Sequence, residues 1–444
     1  MLHLTMLISA MFSLQAQQTN ASQHQEREHR PDRRPWQPSH SAAIQSLDAT
    51  QQIKTSPPKP DATNSALRNT RPSRSSPRDP RYPSPVPDAL HHRLQQTLAA
   101  ARAETEVPGV ACAVYVDGEQ ALRTASGSRD LAGNEPLDAD ATFPIYSITK
   151  TLSAVCVLRL AEQGRLALDE TLERWLPSLP LCRDVSLRQL LRHTAGIPNY
   201  STVPEQIRAL RESPSQAWSF DAFIRATCFH GLDFRPGEGW CYSNTGYMLI
   251  KRILELASDA SFGEVVAANV LRPLGLVRSS TLESASAFAA LTPGYSVLFG
   301  SNAELRDVRG AYDPGWCATG VVASTADEVC RIFEALFAGD LLRAESLEQM
   351  LELVAVPGLD RPGRPSYGLG IMGDPEAPLG RELGHGGGGP GYDLRVTHIP
   401  SLRGHAVTLA ALCNRDTSEA SWRIVDALRD VLAEALVEPL SARA

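Results

Sequence analysis

Lysine is scarce in this chain: four lysines stand beside 39 arginines in 444 residues. Arginine is therefore the ordinary cation, and each lysine asks for a reason that arginine would not satisfy. Glycine is missing from residues 1–88, which carry 12 of the 32 prolines and none of the 31 glycines. A folded domain needs positive-φ residues at its turns and helix ends, so none is expected there. The eight cysteines (residues 112, 156, 182, 228, 241, 317, 330 and 413) include no C-x-x-C pair, which argues against a structural zinc site. No G-x-S-x-G is present, which removes the nucleophile elbow of α/β-hydrolases. The apolar run LTMLISAMFSL at residues 4–14 is well short of the roughly 20 residues that cross a bilayer. Positive charge is in deficit too. The net charge is −7, and residues 1–88 hold 11 Lys/Arg against seven Asp/Glu, so residues 89–444 carry −11. An acidic globular part does not suit nucleic acid as the main partner, and no cofactor or metal is implied.

What is present divides into three stretches. Residues 1–16 read as a signal peptide, with 4–14 as its apolar core and Ala16 as the small residue before cleavage, which implies a periplasmic or secreted protein. No Lys or Arg precedes that core and Leu14 suits cleavage poorly, so a misassigned start and a cytoplasmic protein stay open. Residues 17–88, typified by SSPRDPRYPSPVP, bury too little apolar surface to offset their ordering entropy. They read as an extended tether, with an interaction tail as the alternative. Residues 89–444 are ample for one large two-lobed domain.

Within that domain, residues 89–103 have helical periodicity. GVACAVYV and EQALRTAS follow as two strands joined by Asp117-Gly118, a hairpin signal. An apolar helix is expected over 147–163. The stretch from 169 to 355 reads as helices at 186–193, 218–228, 244–257, 261–271, 325–338 and 345–354. Strand patterns return at 367–372, 382–386, 392–399 and 405–413, and a last helix covers 419–437. Strands at both ends of a helical middle predict an α+β fold: one antiparallel sheet built from the two ends of the domain, flanked by helices, with an inserted all-α lobe. Cys156 and Cys330 fall in apolar helical patterns and read as small buried side chains. The even cysteine count permits disulfides in an exported protein without requiring them.

Two lysines close an S-x-x-K pattern. Ser56-Pro57-Pro58-Lys59 lies in the tether, where no ordered site is expected. Ser147-Ile148-Thr149-Lys150 opens the apolar helix after ATFPIY, so i and i+3 share a face and Lys150 can take the Ser147 proton. The positive helix N-terminus would lower the lysine pKa, and a value of about 7–8 suits a general base. The same spacing is equally that of an N-cap serine and a solvated lysine. Tyr242-Ser243-Asn244 stands in a loop before a helix, where a phenol can relay a proton and an amide can hold a substrate. A buried tyrosine with Asn244 as N-cap is the alternative. Gly384-His385-Gly386-Gly387-Gly388-Gly389-Pro390-Gly391 lets backbone approach a ligand and leaves amides for an oxyanion. A strand-like run follows it, which disfavours a dinucleotide loop. No second ligand is spaced for His385 to bind a metal.

In this order, SITK, YSN and HGG resemble the motifs of the penicillin-recognising serine hydrolases, nearest to the class C β-lactamase, D-alanyl-D-alanine carboxypeptidase and family VIII esterase group. The flanks LLRHTAGIPNY (190–200), FRPGEGWCYSNTGY (234–247), LRPLGL (271–276), ATGVVASTADEV (318–329) and YGLGI (367–371) share in the resemblance, which covers about residues 89–437. It implies a serine hydrolase that acylates itself on ester, D-peptide-like or β-lactam-like substrates, small molecules or peptides. Ser147 would be the nucleophile, Lys150 its base, and Tyr242 the proton relay. Asn244, His385, Gly387 and Gly388 would bind substrate, with the Ser147 and Gly388 N–H groups forming the oxyanion hole. His385 stands where β-lactamases carry Lys, and Gly386 where relatives carry Thr or Ser. Both departures weaken binding of a substrate carboxylate and favour esters or D-peptide-like amides. A non-hydrolytic penicillin-binding receptor or scaffold with the same fold is the alternative.

Overall fold

The computed structural model describes residues 86–180, 183–300, 304–358, 362–417 and 419–436, apart from the His230 side chain. The signal-peptide reading, nearly all of the tether including Ser56 and Lys59, and Cys182 lie outside them.

Helix α1 (Asp88–Glu104) leads into β1 (Gly109–Val116) and β2 (Glu119–Gly127). Asp117 and Gly118, at φ of 50° and 80°, make the tight hairpin that their sequence announces. The remaining strands of the main sheet come late in the chain: β3 (Val354–Ala355), β4 (Ser366–Tyr367), β5 (Met372–Asp374), β6 (Glu382–Gly389), β7 (Tyr392–Leu402) and β8 (His405–Cys413). All eight pair antiparallel in the order β2-β1-β8-β7-β6-β5-β4-β3. The first strand of the domain thus lies against the last, so the sheet is built from both ends of the domain as expected.

Both faces of the sheet are covered, which is why its strands read as continuous apolar runs. Val110, Cys112, Val114 and Val116 of β1 pack into one core with α1 and the terminal helix α6 (Ala420–Ala435). Ala111, Ala113 and Tyr115 point the other way, into the larger core shared with the helical lobe. That lobe centres on α2 (Thr149–Glu162), in which every residue from Thr149 to Leu158 is buried. It also includes α3 (Leu187–Arg192) and α4 (Asn244–Ser258), whereas α5 (Ala326–Phe337) packs on the sheet against β1 and β8.

The structure corrects several boundaries. The expected strand at 367–372 is two strands separated by a turn at Gly370, whose φ is 71°. The expected helix 261–271 closes with a wide π-type turn at Ala267–Leu271. A helix at Pro204–Glu212 and a small sheet of Phe143–Pro144, Val322–Ser324 and Ser280–Thr281 stand outside the expected elements. The expected helix start at Ser147 is displaced as well. Ser147 sits in a 3-10 turn, Tyr146–Ile148, and the α-helix begins at Thr149. The seven described cysteines are free thiols, and Cys156 and Cys330 are buried as expected.

Candidate active site

The turn that carries Ser147 is held from three sides. Ile145 N–H donates to the Val322 carbonyl at 2.8 Å, and Val322 N–H donates to Thr149 Oγ1 at 3.0 Å, so the small sheet anchors the turn to α2. Tyr146 adopts a φ of 41°, a left-handed conformation that costs a non-glycine residue about 1 kcal/mol or more. Its hydroxyl donates to the Pro390 carbonyl at 2.9 Å, and its ring lies beneath β6. The third support is β6 itself. A Cβ on Gly387 would lie 2.5 Å from the Ile145 carbonyl oxygen, and one on Gly389 would lie 2.6 Å from the Tyr146 ring. Glycine at these two positions lets the strand edge lie directly against the turn.

Lys150, one helical turn on, is 2 % exposed. Its Nζ donates to Ser147 Oγ at 2.9 Å and to Asn244 Oδ1 at 2.8 Å. Burial lowers its pKa to about 7, opposed by the charge that Cys317 would carry as a thiolate. The low pKa expected from the sequence is present, but its main cause is desolvation rather than the helix terminus.

The Tyr242 ring centroid is 4.9 Å from Lys150 Nζ. Burial raises the Tyr242 pKa, offset in part by a hydrogen bond with Ser147, so the phenol keeps its proton at working pH. Asn244 is the first residue of α4, not its cap. Ser243 Oγ caps the helix by accepting from Gly246 N–H at 3.1 Å. This leaves the Asn244 amide free for the site: Oδ1 faces Lys150, and one Nδ2 hydrogen goes to Ser201 Oγ at 3.2 Å.

His385 on β6 is fully buried. Its Nδ1–H donates to the Gly386 carbonyl at 2.6 Å, so Nε2 accepts from the Tyr367 hydroxyl at 2.9 Å. Burial, then the neighbouring Lys150, push its pKa down to about 3. It is a neutral hydrogen-bonding group, with no positive charge to offer. Arg395 does not replace that charge, because it lies on the opposite face of the sheet, its guanidinium 3.1 Å from the centre of the Trp422 ring on α6. Gly387 is buried against the turn, whereas Gly388 is exposed, with open space where a Cβ would stand. Lys251, the domain's other lysine, takes no part in these hydrogen bonds among the described residues. It lines a cavity of about 450 Å³ with Trp218, Phe220 and Met248, its Nζ 5.8 Å from the Phe262 ring centre.

The structure therefore brings Ser147, Lys150, Tyr242, Asn244 and His385 together at the edge of β6. Three further residues belong to the cluster. Tyr367 holds His385, Cys317 interacts electrostatically with Lys150, and the His193 ring lies tilted against that of Tyr242 with centroids 4.3 Å apart. His193 and Tyr367 fall in the RHTAG and YGLGI stretches, whose resemblance to relatives was the only sign of their importance.

A serine hydroxyl beside an amine held near neutrality, with a protonated phenol at the same oxygen, defines a serine hydrolase of the acyl-enzyme class. The sequence model of the Beta-lactamase family matches residues 94–434, and the chain belongs to that family. It is 28% identical to Penicillin-binding protein 4* of Bacillus subtilis over 319 residues, covering 69% of this chain and 68% of that protein. It is 30% identical to Esterase EstB of Burkholderia gladioli over 199 residues, 42% of this chain and half of the esterase. Among solved structures, a D-stereospecific amidohydrolase from Streptomyces sp. superposes with a TM-score of 0.65 at 28% identity, covering 77% of this chain and 98% of that one. Among the described residues no helix is long and apolar enough to cross a membrane.

Proposed function

We propose that Ser147 is acylated by uncharged esters or D-amino-acid amides and that water then releases the acyl group. The single observation that carries this reading is the Lys150 amine, 2.9 Å from Ser147 Oγ with a pKa of about 7. In its neutral form it accepts the serine proton as the carbonyl is attacked. Tyr242, protonated and bonded to Ser147, delivers a proton to the departing alcohol or amine and later draws one from the hydrolytic water, while Lys150 returns its proton to Ser147 Oγ as the acyl group leaves. The N–H groups of Ser147 and Gly388 receive the oxyanion, with Gly387 setting the strand edge. Asn244 aims the lysine through Oδ1 and offers its second Nδ2 hydrogen to the substrate carbonyl. His385 shapes the floor as a neutral group.

The substrate class rests on two supports. The neutral His385 gives no anchor for a carboxylate, and the relatives include an esterase and a D-stereospecific amidohydrolase. Residues 1–16 act in this reading as an export signal and 17–88 as a tether to the hydrolase domain at 89–444. N-terminal sequencing of the mature protein checks that division.

A fluorophosphonate probe and labelled penicillin test the mechanism, alongside turnover of p-nitrophenyl esters, D-phenylalanine amide and nitrocefin. A covalent adduct that disappears in Ser147→Ala, with ester or amide turnover, is expected. No Ser147-dependent adduct would overturn the hydrolase reading, and a stable adduct without turnover would make the protein a receptor.

A further inference from the structure

His193 ends α3 in a left-handed conformation, φ 63°. Its carbonyl and its ring both engage the segment that carries Tyr242. The carbonyl accepts from Cys241 N–H at 3.0 Å, and Nδ1 accepts from Ser243 N–H at 3.2 Å. Tyr242 is the residue between those two bonds, and the imidazole lies against its ring at 4.3 Å and 41°. Tyr367 and Tyr247 enclose the imidazole at 4.7 and 5.2 Å.

Because Nδ1 accepts, the proton of the neutral ring sits on Nε2, which is buried and has no hydrogen-bond partner among the described residues. An unpaired buried donor costs about 1–3 kcal/mol. A leucine would fill the space without that cost. The ring does what leucine cannot, since it provides an acceptor for the Ser243 N–H. That role requires an uncharged imidazole, and burial together with Lys150 and His385 keeps its pKa well below the ordinary value.

We infer that His193 is a positioning residue that holds the Tyr242 phenol at Ser147, and so governs proton delivery to the leaving group. The inference rests on the proton-relay reading of Tyr242. Freed of its clamp, the phenol drifts from the oxygen it must protonate, and displacement of a catalytic group by about 1 Å can cost on the order of 100-fold.

The test uses two esters with one acyl group, ethyl butyrate and p-nitrophenyl butyrate. An alkoxide needs a proton to depart; p-nitrophenolate does not. Glycine and asparagine both accept the left-handed backbone, but only asparagine supplies a side-chain acceptor. His193→Gly should lower kcat/KM about 100-fold for ethyl butyrate and less than about 10-fold for the p-nitrophenyl ester. His193→Asn should recover most of the loss. In a Tyr242→Phe background, His193→Gly should add less than about threefold. If the glycine variant does not fold, His193→Leu takes its place, with its added left-handed backbone strain read separately by thermal unfolding.

Equal losses on the two esters, an asparagine variant as impaired as glycine, or an undiminished loss in the Tyr242→Phe background would each overturn the inference alone. Full activity of Tyr242→Phe would overturn the relay reading and this inference with it. No turnover of either ester by the unaltered protein would overturn the hydrolase reading itself.

Discussion

Asn244 Oδ1 accepts a hydrogen bond from Lys150 Nζ at 2.8 Å, close to the 2.9 Å bond that the same nitrogen makes to Ser147 Oγ. The amide oxygen takes one lysine hydrogen and leaves the nitrogen directed at the serine. An amide does this without a charge. A carboxylate in its place would stabilise the ammonium and raise the lysine pKa out of the useful range. Asn244→Asp should therefore shift the acidic limb of the activity profile upward by about one unit or more, with acylation at pH 7 falling about tenfold. Pre-steady-state acylation of the two proteins across pH checks this.

The unaltered enzyme should show one ionisation in kcat/KM between pH 5 and 9, rising with pH to a plateau through an apparent value of about 7, where Lys150 loses its proton. His385 is held at about 3 and His193 well below its ordinary range, so neither adds a limb. Tyr242 is raised, so no fall is expected below about pH 10. A second rising limb would point to another base, unless Asp416→Asn removes it, since burial raises the Asp416 carboxyl to about 7 and it acts on Tyr146 of the serine turn.

Burying a lysine opposes folding. Below pH 7 both the folded and unfolded forms are protonated, and the full cost of about 5 kcal/mol is present, from a drop of 10.5 to about 7. Between those values only the unfolded chain keeps the proton, so stability should rise with pH. Lys150→Met should abolish acylation yet unfold at a higher temperature at pH 7. The net gain is about 1–3 kcal/mol, after the loss of bonds to Ser147 and Asn244. Thermal unfolding at pH 7 and pH 10 should give a smaller difference between the two proteins at the higher pH.

The long strands were legible because their continuous apolar runs and the Asp117-Gly118 turn are local signals. The pairs at 143–144, 280–281 and 322–324 were not, since two or three residues show no alternation and the pairing of 143–144 with 322–324 joins segments far apart in the chain. Ser147 and Lys150 stood out by spacing and by the rarity of lysine. The 3-10 turn did not, because the left-handed Tyr146 is held by contacts with β6. His193 left no spacing signal at all, as its partner Ser243 lies 50 residues on.

Substrates that differ only in a terminal carboxylate should separate cleanly. His385 is neutral and Arg395 faces α6, so the acid gains no ion pair from either and still loses its hydration on entry. A charge-assisted hydrogen bond contributes about 1.5–3 kcal/mol where one exists. N-acetyl-D-alanyl-D-alanine amide should be cleaved at least about tenfold faster than the free acid, and nitrocefin slowly. Comparable kcat/KM values for acid and amide would mean that another cation reaches the substrate.

Gly387 and Gly388 are adjacent on β6, yet their tolerance for a methyl group should differ. On Gly387 the new Cβ would stand 2.5 Å from the Ile145 carbonyl, a backbone atom of the turn that carries Ser147. Neither strand nor turn can yield alone, because Ile145 is tied to Val322 and β6 is paired along its length with β7. On Gly388 nothing lies within 4 Å of the added carbon. Gly387→Ala should lower stability by about 1–3 kcal/mol, the usual range for overpacking, and should slow Ser147 labelling by moving the Gly388 N–H away from the Ser147 N–H with which it is proposed to bind the oxyanion. Gly388→Ala should unfold within about 0.5 kcal/mol of the unaltered protein. Equal destabilisation of the two variants would mean that β6 does not lie directly against the serine turn.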